Sequence, residues 1–126
     1  MKKSIIVVFT LLLSLNLFTQ PNRIKITTLI ENDVVTNNKQ LKPEHGISMH
    51  IAFEDKNILF DLGRTDNFIK NANILGIDIK KIDYVIVSHA HLDHGGGLAS
   101  FFKLNDKAII YLHENCKKEY FYRVHY

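Results

Sequence analysis

Ser88-His89-Ala90-His91-Leu92-Asp93-His94-Gly95-Gly96-Gly97 gathers three imidazoles and one carboxylate into the six residues from His89 to His94. Tyr84-Val85-Ile86-Val87 runs directly into it, and a β-branched and aromatic run of this kind reads as a buried strand. The three glycines behind it read as a flexible turn. A buried strand that empties into such a loop delivers polar side chains to the edge of a sheet. Side chains alternate along an extended segment, so His89 and His91 point to one side and can share one ion. Asp93 and His94 are sequence neighbours and diverge, which lets them reach a second ion beside the first. Zinc takes imidazole nitrogen and carboxylate oxygen at about 2.0–2.2 Å. Two such ions about 3.5–4 Å apart can hold a water between them. A His-rich surface loop is the plain alternative, but it requires neither this order of donors nor a buried strand behind them.

The surrounding sequence supplies a sheet for that loop to sit on. Ile24, Ile26, Thr28 and Ile30 alternate with Lys25, Thr27 and Leu29, which suits a strand half-buried against a core. Glu31-Asn32-Asp33 breaks it, and residues 34–46, with Asn37, Asn38, Pro43 and Gly46, read as a loop. Ile47 to Phe53 reads as a second strand, with Ile47, Met49, Ile51 and Phe53 on one face. Glu54-Asp55-Lys56-Asn57 is a hairpin turn, and Asn57 to Phe60 is a third strand ending at Asp61 and Gly63. Thr65 or Asp66 can cap a helix that runs to about Leu75, where Gly76 stops it. Past the loop, Gly95 to Phe102 reads as a helix, Lys107 to Leu112 as an apolar strand, and Glu114 to Tyr122 as a Lys- and Tyr-rich helix. If the strands at 84–87 and 108–112 are parallel, both end on the same sheet edge, where ligands bind in such sheets. His113 then lies toward the His89–His94 loop, either lining a substrate site or merely ending a strand; it is not expected to bind metal.

His89-Ala90-His91-Leu92-Asp93-His94 resembles the His-x-His-x-Asp-His signature of the metallo-β-lactamase fold hydrolases. Leu41-Lys42-Pro43-Glu44-His45-Gly46-Ile47-Ser48 resembles the Glu-His-Gly-(Leu/Ile)-Ser segment of one branch. Ile58-Leu59-Phe60-Asp61-Leu62-Gly63 resembles its Leu-Phe-Asp-Thr-Gly segment, with Leu62 where Thr is usual. Asn71 to Asp78 and Ile82-Asp83 also fit. That branch is commonly named after a methanopterin-pathway ribofuranosylaminobenzene-phosphate synthase, or dihydropterin-related enzyme.

The resemblance implies an α/β (α+β) fold, the N-terminal half of a four-layer αβ/βα sandwich. Residues 23–126 would form that domain, cut short at the C-terminus. A half-sandwich leaves one apolar sheet face bare. The resemblance further implies two divalent ions, zinc in the first place, with iron or manganese suited to the same mixed donors. His89 and His91 would hold the first ion, and Asp93 and His94 the second. Asp93 would also act catalytically by orienting the attacking water. Asp61 would support the loop by hydrogen bonding, as residues behind metal ligands do; the alternative is a turn residue capping the next helix. Glu44 and His45 fall near the active site of that branch and are candidates to line the substrate, or ordinary loop residues. The implied activity is metal-assisted hydrolysis of an ester, thioester, phosphoester or amide bond in a small molecule. A dinuclear site takes about five or six protein ligands, and the loop supplies four. The family draws the others from segments without a counterpart here. The 126-residue chain alone is therefore expected to turn over little or nothing. The alternatives are a non-catalytic metal-binding or interaction module that a partner completes, or a membrane-anchored structural protein.

The chain has 126 residues, enough for one domain, with 46% hydrophobic and 23% charged residues, which are globular values. The net charge is +3 and Lys2 and Lys3 supply two of those charges, so no basic stripe argues for nucleic-acid binding. Lys2-Lys3 followed by the apolar run Ser4 to Phe18 resembles a signal peptide, whose apolar region is about 7–15 residues. It is short for a membrane span of about 20 residues. Residues 1–20 are thus expected to act as a signal or N-terminal anchor, placing the domain outside the cytoplasm or at a membrane. Cleavage near residues 19–20 lacks an Ala-x-Ala site, and a buried first strand is the other reading. Cys116 is the single cysteine and reads as a free thiol without a catalytic role.

Overall fold

The computed structural model describes residues 23–33 and 38–117. Five strands form one sheet in chain order: β1 (Ile24–Ile30), β2 (Ser48–Phe53), β3 (Lys56–Phe60), β4 (Tyr84–Val87) and β5 (Ile109–Leu112). β1, β2 and β3 are antiparallel neighbours; β3, β4 and β5 are parallel. Parallel neighbours need crossovers. α1 (Asn67–Ile74) provides the first, and α2 (Leu92–Gly95) with α3 (Leu98–Phe102) the second. Asp66 occupies the cap position of α1 without a side-chain cap; the first-turn N–H of Asn67 is taken by Thr65 Oγ1 instead, at 3.2 Å.

Both crossovers cover the same face of the sheet. Phe68 and Ala72 of α1 and Phe101 of α3 pack with Leu29, Leu59, Val85 and Val87 into one core, joined by Leu62, Ile79 and Ile82. The opposite face is also apolar. Register aligns Ile26, Ile51, Ile58, Tyr84 and Ile109 in one row across all five strands. Met49, Phe60, Ile86 and Tyr111 form the next. Ile26 is 60% exposed, and Ile109 and Tyr111 are each 53% exposed. The alternating isoleucines of β1 therefore do not face the core: Ile24 and Ile26 lie on the open side, and Leu29 and Ile30 are the buried pair. The register shift between Thr28 and Ile30 allows two consecutive residues to be buried.

Three local expectations change. The hairpin turn is two residues, Glu54 and Asp55, with Glu54 left-handed at φ 52°, so Lys56 and Asn57 already belong to β3. The helix expected from Gly95 is split in two, and its first piece begins at Leu92, inside the metal loop. The glycines after it are not a flexible turn. A Cβ on Gly96 would run into the carbonyls of Arg64 and Leu92, so the absence of a side chain lets the helices lie directly on segment 62–64. A short 3₁₀ turn spans Glu114–Lys117; the rest of the helix expected to reach Tyr122 lies outside the described residues, as do residues 1–20.

Candidate metal centre

β4 and β5 end side by side, with Val87 paired to Leu112, so the loop from Ser88 leaves the carboxyl edge of the parallel strands. His91 is still extended (φ −68°, ψ 150°) and occupies the cap position of α2. Leu92 to Gly95 then make a single helical turn. His89 and His91 do lie together, with His89 Nε2 3.1 Å from His91 Nδ1. Asp93 and His94 do not diverge. Helical curvature brings Asp93 Oδ2 to 3.5 Å from His94 Nε2. The His94 ring also lies against His89, centroid to centroid 4.0 Å.

The loop rests on Asp61, which is fully buried and left-handed at φ 53°. Its Oδ1 accepts the Ser88 N–H at 2.8 Å. Its Oδ2 accepts the Ser88 hydroxyl and the His94 Nδ1–H, each at 2.7 Å. A hydroxyl has one proton. Once Ser88 donates to Asp61, its oxygen can only accept from His89 Nδ1, 2.9 Å away. His89 Nε2 then accepts from His91 Nδ1. These partners assign one tautomer to all three rings, with the proton on Nδ1 and the lone pair on Nε2. That is the form in which a carboxylate-backed imidazole binds metal. The donor set thus fits a divalent ion in its chemistry. Among the described residues, no three His, Cys, Asp or Glu side chains form a ready-made cage.

Backbone contacts lock this arrangement onto its neighbours. Leu62 N–H donates to His94 O at 2.7 Å, and Gly97 N–H to Gly63 O at 3.2 Å. The loop at 41–47 approaches from the other side. Its Glu44 carboxylate accepts the backbone N–H groups of Arg64 (2.6 Å) and Thr65 (2.8 Å), the Thr65 hydroxyl and the Asn67 amide (3.0 Å). Both Glu44 oxygens are therefore engaged in holding the segment before α1. His45 stands next to Asp93, its Nε2 3.4 Å from Asp93 Oδ2. His113 is exposed and follows β5 at the same sheet edge as Ser88, as parallel strands require. Cys116 is buried.

Two contributors carried no separate expectation. Ser88 connects Asp61 to His89, and its position directly before the first histidine was the only signal. Asn71 is buried in α1 and holds the 41–47 loop to β1. Its amide donates to Leu29 O (2.6 Å) and Lys42 O (2.9 Å), and its oxygen accepts Lys42 N–H (2.9 Å). An asparagine in a helix interior facing the core marks such a bridge.

Residues 43–119 match the family model of the Metallo-beta-lactamase superfamily. The 7,8-dihydropterin-6-methyl-4-(beta-D-ribofuranosyl)-aminobenzene-5'-phosphate synthase of Methanocaldococcus jannaschii is 38% identical over 103 residues, which are 77% of this chain and 35% of that protein. The uncharacterized protein MJ0448 of the same organism is 34% identical over 73 residues, 58% of this chain and 27% of that one. The crystal structure of Tm1679, a metal-dependent hydrolase of the beta-lactamase superfamily, superposes with a TM-score of 0.50 at 36% identity, covering 62% of this chain and 27% of that chain. The chain spans about a quarter to a third of the length of the curated relatives it matches, 35% and 27%. The five-stranded mixed sheet with helices on one face, the loop at its carboxyl edge and the match over residues 43–119 all agree: the chain belongs to the metallo-beta-lactamase superfamily.

Proposed function

We propose that this chain carries the metal-binding loop of a hydrolase that cleaves an ester, phosphoester or related bond in a small molecule. The observation that supports it is the Asp61–Ser88 network, which sets the His89, His91 and His94 rings with Nε2 as the lone-pair nitrogen. His89 and His91 would hold one divalent ion, and Asp93 and His94 a second. Zinc suits these donors, as do iron and manganese. Ions bound there would supply Lewis acidity, polarising the scissile bond and lowering the pKa of a coordinated water. Asp93 would both bind metal and orient the attacking water. Asp61 and Ser88 would keep the Nδ1 protons of His94 and His89 in place. Residues 1–20 form part of the same proposal, as a signal or anchor that places the domain outside the cytoplasm or at a membrane.

Metal uptake tests this reading. Equilibrium dialysis of the purified chain against Zn²⁺ should show two bound ions, and His89→Ala should weaken one of them. No uptake by the parent chain would overturn it. Hydrolysis of a chromogenic phosphodiester by the 126 residues alone should stay near background, because four loop donors fall short of the about five or six of a complete dinuclear site.

A further inference from the structure

We infer that Glu44 is a positioning residue for Asp93 and His94: its carboxylate fixes segment 62–65, and that segment fixes both donors. The inference rests on the metal reading above and concerns a residue outside the His89–His94 motif.

Segment 62–65 is the floor under the helical turn that carries the two donors. Leu62 N–H donates to His94 O at 2.7 Å, and Gly97 N–H donates to Gly63 O at 3.2 Å. A Cβ on Gly96 would run into the Arg64 carbonyl. Asp93 is tied in by a second route. Gly63 N–H donates to Ile47 O at 3.0 Å, and Ile47 N–H donates to Asp93 O at 3.4 Å. Gly63 thus belongs to both routes. Arg64 and Thr65 lie in neither a strand nor a helix, so no ladder takes their N–H groups. The Glu44 carboxylate takes both, at 2.6 and 2.8 Å, together with the Thr65 hydroxyl and the Asn67 amide. Gly63, left-handed at φ +66°, leaves the room: a Cβ there would stand 3.0 Å from Glu44 Oε1.

Glu44 is itself held by the core. Its N–H donates to Glu31 O, just past β1, at 3.1 Å, and Asn71 of α1 holds Lys42. Hydrogen bonds onto a carboxylate are about twice as strong as neutral ones. The clamp therefore passes the rigidity of β1 and α1 into the floor of the loop. Position is what it controls, more than stability. Arg64 and Thr65 are exposed, so water can satisfy their N–H groups when the carboxylate is gone. Water does not tie them to residues 41–47. Removing a group that orients metal ligands costs about 10–100-fold in metal affinity.

The test uses the full chain. Glu44→Ala removes the clamp, and Glu44→Gln keeps an acceptor oxygen for the two N–H groups. Asn105→Ala is the control. The buried Asn105 amide donates to Ile79 O and Ile82 O, and its oxygen accepts the Lys107 and Ala108 N–H groups, at the opposite edge of the sheet. Without metal, the amides of Ile47, Leu62 and Gly97 in Glu44→Ala should lose hydrogen-exchange protection relative to Val85 of β4. With Co²⁺ as the probe, chelator competition should show binding about tenfold weaker or more, with an altered d–d spectrum. Glu44→Gln should restore both readouts, and Asn105→Ala should change neither. Faster exchange confined to Arg64 and Thr65 would overturn the inference, because the clamp would then act only locally. Equal losses in Asn105→Ala would overturn it, as would a Glu44→Ala chain that binds cobalt like a cobalt-binding parent. A Glu44→Ala chain that does not fold would overturn it by making Glu44 a residue of stability. A parent chain that takes up no cobalt would overturn the metal reading alone; exchange at Ile47, Leu62 and Gly97 would then decide the positioning role.

Discussion

Asp61→Asn separates the shape of the metal loop from its protonation. The parent carboxylate accepts three hydrogen bonds, from Ser88 N–H, the Ser88 hydroxyl and His94 Nδ1–H. Asparagine is isosteric and among the non-glycine residues that best tolerate a left-handed backbone, here φ 53°. Its Oδ1 keeps the Ser88 N–H, but its amide now points donors at Ser88 Oγ and His94 Nδ1. Both can respond, the hydroxyl by accepting and the imidazole by moving its proton to Nε2. Three charge-assisted bonds become three neutral ones, so the net loss should be about 1–3 kcal/mol. Asp61→Ala is a harsher change. It orphans Ser88 N–H and His94 Nδ1, at about 1–3 kcal/mol each, and adds about 1–2 kcal/mol of left-handed strain. In the asparagine variant, a proton on His94 Nε2 blocks the atom that faces Asp93. Zinc affinity should fall about 10–100-fold, or about 1.4–2.8 kcal/mol. Urea denaturation without metal measures the first effect, chelator competition the second, and ¹⁵N–¹H correlation of the His94 ring reads the tautomer directly. An Asp61→Asn chain that stays folded and binds zinc as tightly as its parent would refute the argument.

Asn71→Ala should cost about 2–4 kcal/mol, because it leaves Leu29 O, Lys42 O and Lys42 N–H without their partner in a site only 2% exposed; urea unfolding measures it, and a loss under about 0.5 kcal/mol would contradict the bridging role. A hydrogen bond from Lys70 holds the Asp66 carboxyl below its ordinary range, and the lysine charge adds to it. The folded value is the lower one, so the pair stabilises above the unfolded pKa of about 3.9 and is lost as pH falls through the folded value. Both side chains are about half exposed, 51% and 55%, which limits the term to about 0.3–0.5 kcal/mol. Asp66→Asn should show that loss at pH 7 and none at pH 2. On the open sheet face, Ile26→Ser and Tyr111→Ser should change stability by less than about 1 kcal/mol and reduce self-association in sedimentation velocity; unchanged association would show that the bare face is not adhesive.

The loop and its supporting strand were legible because their signals are local. Four donors in six residues and the run Tyr84–Val87 need no long-range information. The same holds for the parallel pairing of β4 and β5, which the apolar runs on either side of a helical segment suggested and the register shows. Asp61 and His45 could be named as candidates from their motifs, but the motifs could not give them partners. Asp61 meets His94 across 33 positions of sequence, and His45 meets Asp93 only because Gly46 allows two backbones to touch.

Periodicity misled in one respect. It marks which residues of a strand share a face, but not which face is covered, since that depends on the side the crossover helices take. Ile24 and Ile26 alternate as a core strand should, and they lie on the open side. Glu44 was left open for a related reason. A carboxylate beside a functional loop can serve a ligand or the backbone, and the N–H groups of Arg64 and Thr65 claimed it once α1 was in place. Local sequence therefore specified the donors and the strand that presents them, because side-chain chemistry and alternation are properties of consecutive residues. Tautomer, clamp and open face arose from packing, because each depends on atoms that are brought together only when distant segments share one core.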